Sequence, residues 1–281
     1  MSVPTITRRL LPLAMAAFLL ATFAGSTVAG TAVVAEPSAT GSGEAASSPS
    51  SPDGLVTRTN NKRRNHGLIV VREDPDLASI ARDRARVMAQ NNVMSHTEPD
   101  GRNVFDRIRS AGITWYGAGE IIAWNGYSGQ KASVKAVINA WMNSSGHRAI
   151  MLSSGYNYVG YGMAVSSSGK RYFAGVFAKE PDETGARAKL GSVSKTSVDT
   201  ARTRVKINWS GKDPRLQVLT AGFGKFEIQR RRIGGDWQSW GTTTATSKAV
   251  TWSKDYDYEF RVRARDKRGN WGKWKVIRVN L

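Results

Sequence analysis

The spacing of apolar side chains divides the chain into stretches of different period. Leu10 to Ala24 is an almost unbroken apolar run behind Arg8-Arg9, followed by small residues. It is shorter than the ~20 residues that cross a bilayer, which predicts a cleaved export signal over residues 1–35, cut near residue 29 or 35. Residues 36–53 are mostly Pro, Ser, Gly and Ala and predict a flexible tether. Asp74-Pro75 then marks a helix start, with Leu77, Ile80, Ala81 and Met88 on one face until Asn91-Asn92. A short helix is expected from about Asn103 to Gly112, with Phe105 and Ile108 turned inward. Another is expected over 130–143, where Val134, Val137, Ile138 and Trp141 stand at i, i+3, i+4 and i+7. The period next falls to two: Tyr158 to Val165 and Arg171 to Ala178 read as a hairpin around Ser166-Ser167-Ser168-Gly169. Helices flanking a small antiparallel sheet are predicted for a domain over 54–178.

A second break, 179–194, opens with Lys179-Glu180-Pro181-Asp182-Glu183 and reads as a linker. Beyond it, residues 195–281 alternate as strands do, in Val205-Lys206-Ile207-Asn208-Trp209, Phe226 to Arg230 and Tyr258 to Ala264. Gly234-Gly235 and Arg268-Gly269-Asn270 supply turns, and a small antiparallel sandwich follows.

Charge adds a second asymmetry. The 281 residues hold 41 Lys and Arg against 22 Asp and Glu, a formal +19. Residues 195–281 carry 20 basic and 8 acidic side chains, so this last third contributes +12. Such a field concentrates anions. Behind an export signal the natural partner is a cell-wall or other anionic envelope polymer rather than nucleic acid, and ordinary solubility is the plain alternative. The chain has no cysteine, so its cores rest on packing alone, which favours a bacterial exported protein over a disulfide-stapled secreted one. Thr7-Arg8-Arg9 leaves general and twin-arginine export both open.

Candidate chemistry sits between the predicted elements. His96 lies in Ser95-His96-Thr97 ahead of a Pro-Asp-Gly turn, Glu120 precedes the strand-like Ile121 to Trp124, and His147 follows the third helix on the Gly146 turn. Any one histidine is readily a structural residue. Two imidazoles and a carboxylate together can hold a divalent metal or move a proton. No serine nucleophile motif, no His-Glu-x-x-His pair and no phosphate-cradling glycine loop is present.

These segments resemble the CAP superfamily of cysteine-rich secretory proteins, antigen 5 and pathogenesis-related proteins (the SCP domain), in its bacterial secreted branch. The likeness covers about Leu55 to Ala178. Ser95-His96-Thr97 with Pro99-Asp100-Gly101 and Phe105-Asp106-Arg107 is similar to the family's His loop. Gly119-Glu120-Ile121-Ile122-Ala123 resembles its Gly-Glu-Asn-Ile-Ala strand, and Trp141 through His147-Arg148 its Trp-x-x-Ser-Pro-Gly-His-Arg motif. The resemblance implies an α+β fold, an α-β-α sandwich with a shallow cavity lined by His96, Glu120 and His147, where some members hold zinc or another divalent metal. The second acid of the fuller pattern is missing after Trp141. Residues 195–281 resemble a fibronectin type III or immunoglobulin-like module, on Asn208-Trp209-Ser210, Tyr258 to Asp266 and Gly269 to Trp274.

Arg261, Arg263 and Arg265 are expected on one strand face, as a solvated surface or a polymer-docking one; Trp237, Trp240, Trp271 and Trp274 could pack or stack on sugars. The expected protein is therefore secreted. Its cavity takes a small ligand such as a lipid or peptide, with or without a metal, and its basic sandwich docks on the envelope. A metal-assisted or His/Glu hydrolase of cell-wall or peptide bonds is the alternative, and a purely structural triad the third possibility.

Overall fold

The computed structural model describes residues 51, 52 and 54–281. The expected export signal and most of the expected tether lie outside them. Among the described residues no helix is long and apolar enough to cross a membrane.

The first domain is a three-layer sandwich. Its sheet has the order β1 (Arg72–Glu73), β3 (Tyr158–Val165), β4 (Arg171–Lys179), β2 (Gly117–Asn125), with β1 parallel to β3 and the other pairs antiparallel. Because successive strand residues face opposite sides, each strand feeds two cores. Ile122, Tyr158, Tyr172, Ala174 and Val176 meet α2 (Pro75–Asn91) and α3 (Val104–Ser110) on one side. Ile121, Val159, Tyr161, Phe173 and Phe177 meet α1 (Leu55–Asn65), α4 (Gln130–Asn143) and α5 (Ser145–Met151) on the other.

Local sequence sets these elements. Asp74 caps α2, its Oδ1 accepting from the amides of Asp76 (2.9 Å) and Leu77 (2.8 Å), and Asn92 ends it in the left-handed region at φ 53°. The buried stripe of α2 is Leu77, Ile80, Ala81, Arg84, Ala85 and Met88, so an arginine stands in an apolar row. The helix lies directly on β3: a Cβ at Gly160 would come within 2.0 Å of the Ala78 amide nitrogen. Asn103 and Asp106 form a capping box at the start of α3. Across the sheet, α4 buries Val134, Val137, Ile138 and Trp141, whose indole donates to the Ile122 carbonyl at 3.1 Å.

Three expectations need correction. Phe105 is 36% exposed and stacks on Trp115 at 5.9 Å; Val104, one position earlier, fills the inward place beside Ile108. His147 is not on a turn but in the first turn of α5, which starts directly after the α4 cap. The stretch 179–194 is not a free linker. Asn157 holds both the amide and the carbonyl of Glu180, Asp182 is buried, and β5 (Arg187–Ser197) begins there. The irregularity between Leu190 and Val193 breaks the alternation that would have signalled a strand.

The second domain packs two sheets, β11-β10-β7-β8 and β5-β6-β9, comprising β5, β6 (Arg202–Lys212), β7 (Phe223–Arg232), β8 (Gln238–Thr243), β9 (Ser247–Ser253), β10 (Tyr258–Asp266) and β11 (Lys275–Val279). Val205, Ile207 and Trp209 meet Phe226, Ile228, Phe260 and Val262 in its core, with Trp209 stacked on Phe260 at 5.3 Å. On the outer face Arg261 lies between Trp237 (4.1 Å) and Trp274 (4.4 Å), and Arg263 between Trp274 (4.6 Å) and Trp271 (4.4 Å). Arg263 also pairs with Glu227, and Arg231 with Glu259. The loop from 213 to 222 ties the two domains together. Leu216 enters the α2-side core, the Pro214 carbonyl accepts from Arg72 at 2.8 Å, and Gln217 accepts from the Ile69 amide at 2.7 Å.

Candidate functional site

Glu120 sits on the α2 side of β2, sharing that face with Ile122, and this aims its carboxylate at the arginine in the α2 stripe. Arg84 donates from Nε to Oε1 (2.7 Å) and from Nη2 to Oε2 (3.3 Å). The remaining contacts of the guanidinium are Nη1 to Glu98 (2.8 Å) and Nη2 to the Ser95 carbonyl (2.7 Å). The last bond fixes the loop that carries the next residue, His96, whose Nδ1 meets Glu120 Oε2 at 2.7 Å. Arg107 of α3 closes the chain with two bonds to Glu98.

The result is a row of alternating charge: Arg107, Glu98, Arg84, Glu120, His96. The side chains of Arg84, Glu98 and Glu120 are nearly fully buried, while that of His96 is 59% exposed. Burial alone would raise the carboxyl of Glu98, but hydrogen bonds from Arg107 and Arg84 outweigh it and hold the group below its ordinary value.

His96 and Glu120 border a hollow of about 330 Å³ whose other walls include Val104, Phe105, Ala118, Ile150 and Tyr156. Gly119 lets Tyr156 approach, since a Cβ there would lie 3.0 Å from the tyrosine hydroxyl. His147 stands three residues before Ile150, hence on the same face of α5. It is half-buried, and burial, then the charge of His96, hold it below the ordinary imidazole value. The three expected residues therefore divide: His96 and Glu120 touch, and His147 feels the charge of His96.

With Glu120 accepting at Nδ1, the neutral ring of His96 carries its proton there and presents Nε2 as an acceptor. Both oxygens of Glu120 already accept, Oε1 from Arg84 and Oε2 from Arg84 and His96. These side chains do not fit a held divalent ion. The positive charge beside Glu120 is already supplied by Arg84, and two imidazoles without a free carboxylate form a poor donor set. Among the described residues, the group of three acids or histidines that brings donor atoms within 4.8 Å of one another is Asp182, Asp213 and Asp266, at the domain junction. Their oxygens mostly accept from loop donors such as Thr184, Ala221, Gly222 and Asn270.

Sequence reasoning missed Arg84, Glu98 and Arg107. Their signal was an arginine at i+3 from Ala81 and i+4 from Ile80 in an apolar stripe, which demands a buried acid partner.

Residues 56–177 match the model of the Cysteine-rich secretory protein family, CAP. This segment is a CAP domain. The domain is 36% identical over 114 residues to the uncharacterized protein YkwD of Bacillus subtilis (strain 168), spanning 41% of this chain and 42% of that protein. It is 32% identical over 109 residues to the uncharacterized membrane protein YlbC of the same organism, spanning 39% of this chain and 30% of that protein. The chain thus spans less than half the length of the curated relatives it matches. Among solved structures, an extracellular protein containing a SCP domain from Bacillus anthracis is 26% identical, with a TM-score of 0.39 over 45% of this chain and 39% of that one.

Proposed function

We propose that this is an exported CAP-domain protein whose hollow binds a small amphipathic ligand. The observation that carries the reading is the clamp: Arg84 fixes Glu120 from behind, and Glu120 fixes an exposed His96 at the mouth of a largely apolar hollow. A hydroxyl or carboxyl head group would meet His96 Nε2, and the apolar body would lie on Phe105, Ile150 and Tyr156. Export rests on the N-terminal apolar run and on the secretory character in the family's description. Docking of the basic second domain on an anionic envelope polymer belongs to the same reading and rests on its net +12.

The His96–Glu120 dyad also suits a hydrolase in which Nε2 takes a proton from water. That reading gives Glu120 only an orienting role, because its oxygens are committed.

Titration of the full chain with decanol and decanoate, followed by NMR of the histidine rings and by calorimetry, tests the binding reading. His96 signals should shift, and His96→Ala and Phe105→Ala should each weaken binding about tenfold, ~1.4 kcal/mol. Shifts confined to other surfaces would sink it. Zinc uptake should be unchanged by Glu120→Gln, and hydrolysis of peptidoglycan or peptide lost in His96→Ala would favour the enzyme.

A further inference from the structure

The two helical layers of the CAP domain differ in charge. Residues 54–72 and 121–179 contain no Asp or Glu, and these stretches supply all of α1, α4 and α5. On those helices Arg58, Lys62, Arg64, Lys131, Lys135 and Arg148 are exposed or half-exposed. The ion pairs of the α2–α3 side, at Arg84, Arg86, Arg102, Arg107 and Arg109, have no counterpart here among the described residues.

We infer that the α1–α4–α5 face of the CAP domain binds an extended linear polymer of phosphate groups. Arg58 and Lys131 border one hollow between α1 and α4, so the two helices present their cations to a common surface. Lys62 follows Arg58, and Lys135 follows Lys131, one turn on, about 6 Å along each axis. A chain carrying a charge every few ångström can meet these cations at once. Arginine forks onto phosphate oxygens and lysine meets them as a mobile point charge.

The texture of the face selects a soluble polymer over a bilayer. The exposed large apolar residues of the CAP domain, among them Val93, Met94, Phe105, Tyr116, Trp124 and Tyr127, all lie off these three helices. Between the cations stand Ala132, Asn139, Ala140, Asn143 and Ser145, which offer no wedge to insert between acyl chains.

The sandwich arginines are less free. Arg261 and Arg263 are stacked between indoles, and Arg263 is paired with Glu227. The ligand hollow near His96 lies between α3 and α5 beside β2, and none of Arg58, Lys62, Lys131 and Lys135 lines it.

The test is binding of the full chain to inorganic polyphosphate across a salt series, with anionic vesicles and polygalacturonate as parallel arms. Each lost phosphate contact lowers the log–log salt slope by about 0.7 for a flexible chain, so R58Q/K62Q/K131Q/K135Q should lower it by about 3. At 0.15 M salt that corresponds to about 200-fold weaker binding if all four contacts are made. Glutamine keeps helix propensity, and an unchanged melting temperature confirms that the variant folds. The equal-charge control R187Q/K189Q/R204Q/K206Q, on the sandwich, should change affinity less than tenfold. An unchanged slope in the helix variant would overturn the inference, as would equal losses in both variants. Tighter binding to vesicles or to polygalacturonate than to polyphosphate would overturn it as well.

Discussion

Replacing Arg84 with methionine tests the clamp behind His96. The native guanidinium is fully buried and makes four hydrogen bonds, two to Glu120 and one each to Glu98 and the Ser95 carbonyl. Methionine fills similar volume flexibly, so the cavity contribution is small. What remains is an orphaned charge: Glu120 keeps only His96, while Glu98 keeps Arg107. Removing one partner of a buried pair costs about 3–5 kcal/mol. At about 2–4 °C per kcal/mol for a chain of this size, the melting temperature should fall by ~10 °C. Circular dichroism melts at pH 7 and pH 4 read this out. The folded value of Glu98 lies below its unfolded one, so its contribution is present above the unfolded value and fades as pH falls through the folded one. The gap between wild type and Arg84→Met should therefore narrow toward acid. Adding Glu120→Gln to Arg84→Met should recover part of the loss, because the orphaned charge goes with it. A variant melting within 2 °C (~1 kcal/mol) of wild type at pH 7, or a gap that widens toward acid, would refute the clamp.

Other positions give sharper single outcomes. His147 is held low by burial and by the charge of His96, so its NMR titration midpoint should lie below the usual ~6.5 and rise in His96→Ala. Glu180 is buried, and that burial, with Asp74, Glu183 and Asp76 nearby, pushes its carboxyl up to about 8. A raised carboxyl costs stability as pH climbs from its unfolded value to its folded one, so Glu180→Gln should stabilise the protein above pH 8 by on the order of a few kcal/mol and do little at pH 4. Gly160→Ala would drive a methyl into the α2 backbone at 2.0 Å and should cost about 3 kcal/mol or more, seen as a lower denaturant midpoint with an unchanged slope.

Elements whose signals are local were readable in the sequence. Asp74-Pro75, the Val134–Trp141 stripe and the hairpin around Ser166 to Gly169 each declare themselves within a few residues, and each forms where expected. The elements that were misread depend on distant partners. Phe105 turns outward because Trp115 offers a stacking surface that no periodicity announces. The strand β5 hides behind an irregular pairing with β6, and its Ala188 is buried only because a second sheet covers it. His96 and Glu120 were visible as residue types, but their direct bond comes from β2 and the post-α2 loop meeting over Arg84. Glu98 stands just before the Pro-Asp-Gly turn, and nothing local marks it. Its burial follows from two arginines on different helices closing over it.

Three physical states stand out among the basic residues of this chain, and net charge alone conceals the difference. Arg84 and Arg107 are consumed by buried carboxylates, where their cost of desolvation is offset by several hydrogen bonds each. Arg261 and Arg263 are consumed by indole faces, each such contact worth ~0.5–1 kcal/mol at a surface. Arg58, Lys62, Arg64, Lys131, Lys135 and Arg148 on α1, α4 and α5 are exposed or half-exposed and have no ion-pair partner among the described residues, while Arg63 of α1 is buried on backbone carbonyls. The first state shapes the site, since an arginine behind Glu120 orients His96 where a metal would have offered open coordination. The second state stiffens the sandwich. Of these three states the third is free to exchange small counterions for a polymer, and salt acts on it most strongly because exposed charges are screened within about 8 Å at physiological ionic strength while buried pairs are screened far less. A formal +19 therefore overstates the charge available for docking, and that charge lies largely on one helical layer of the CAP domain and on the sandwich strands outside the indole ladder.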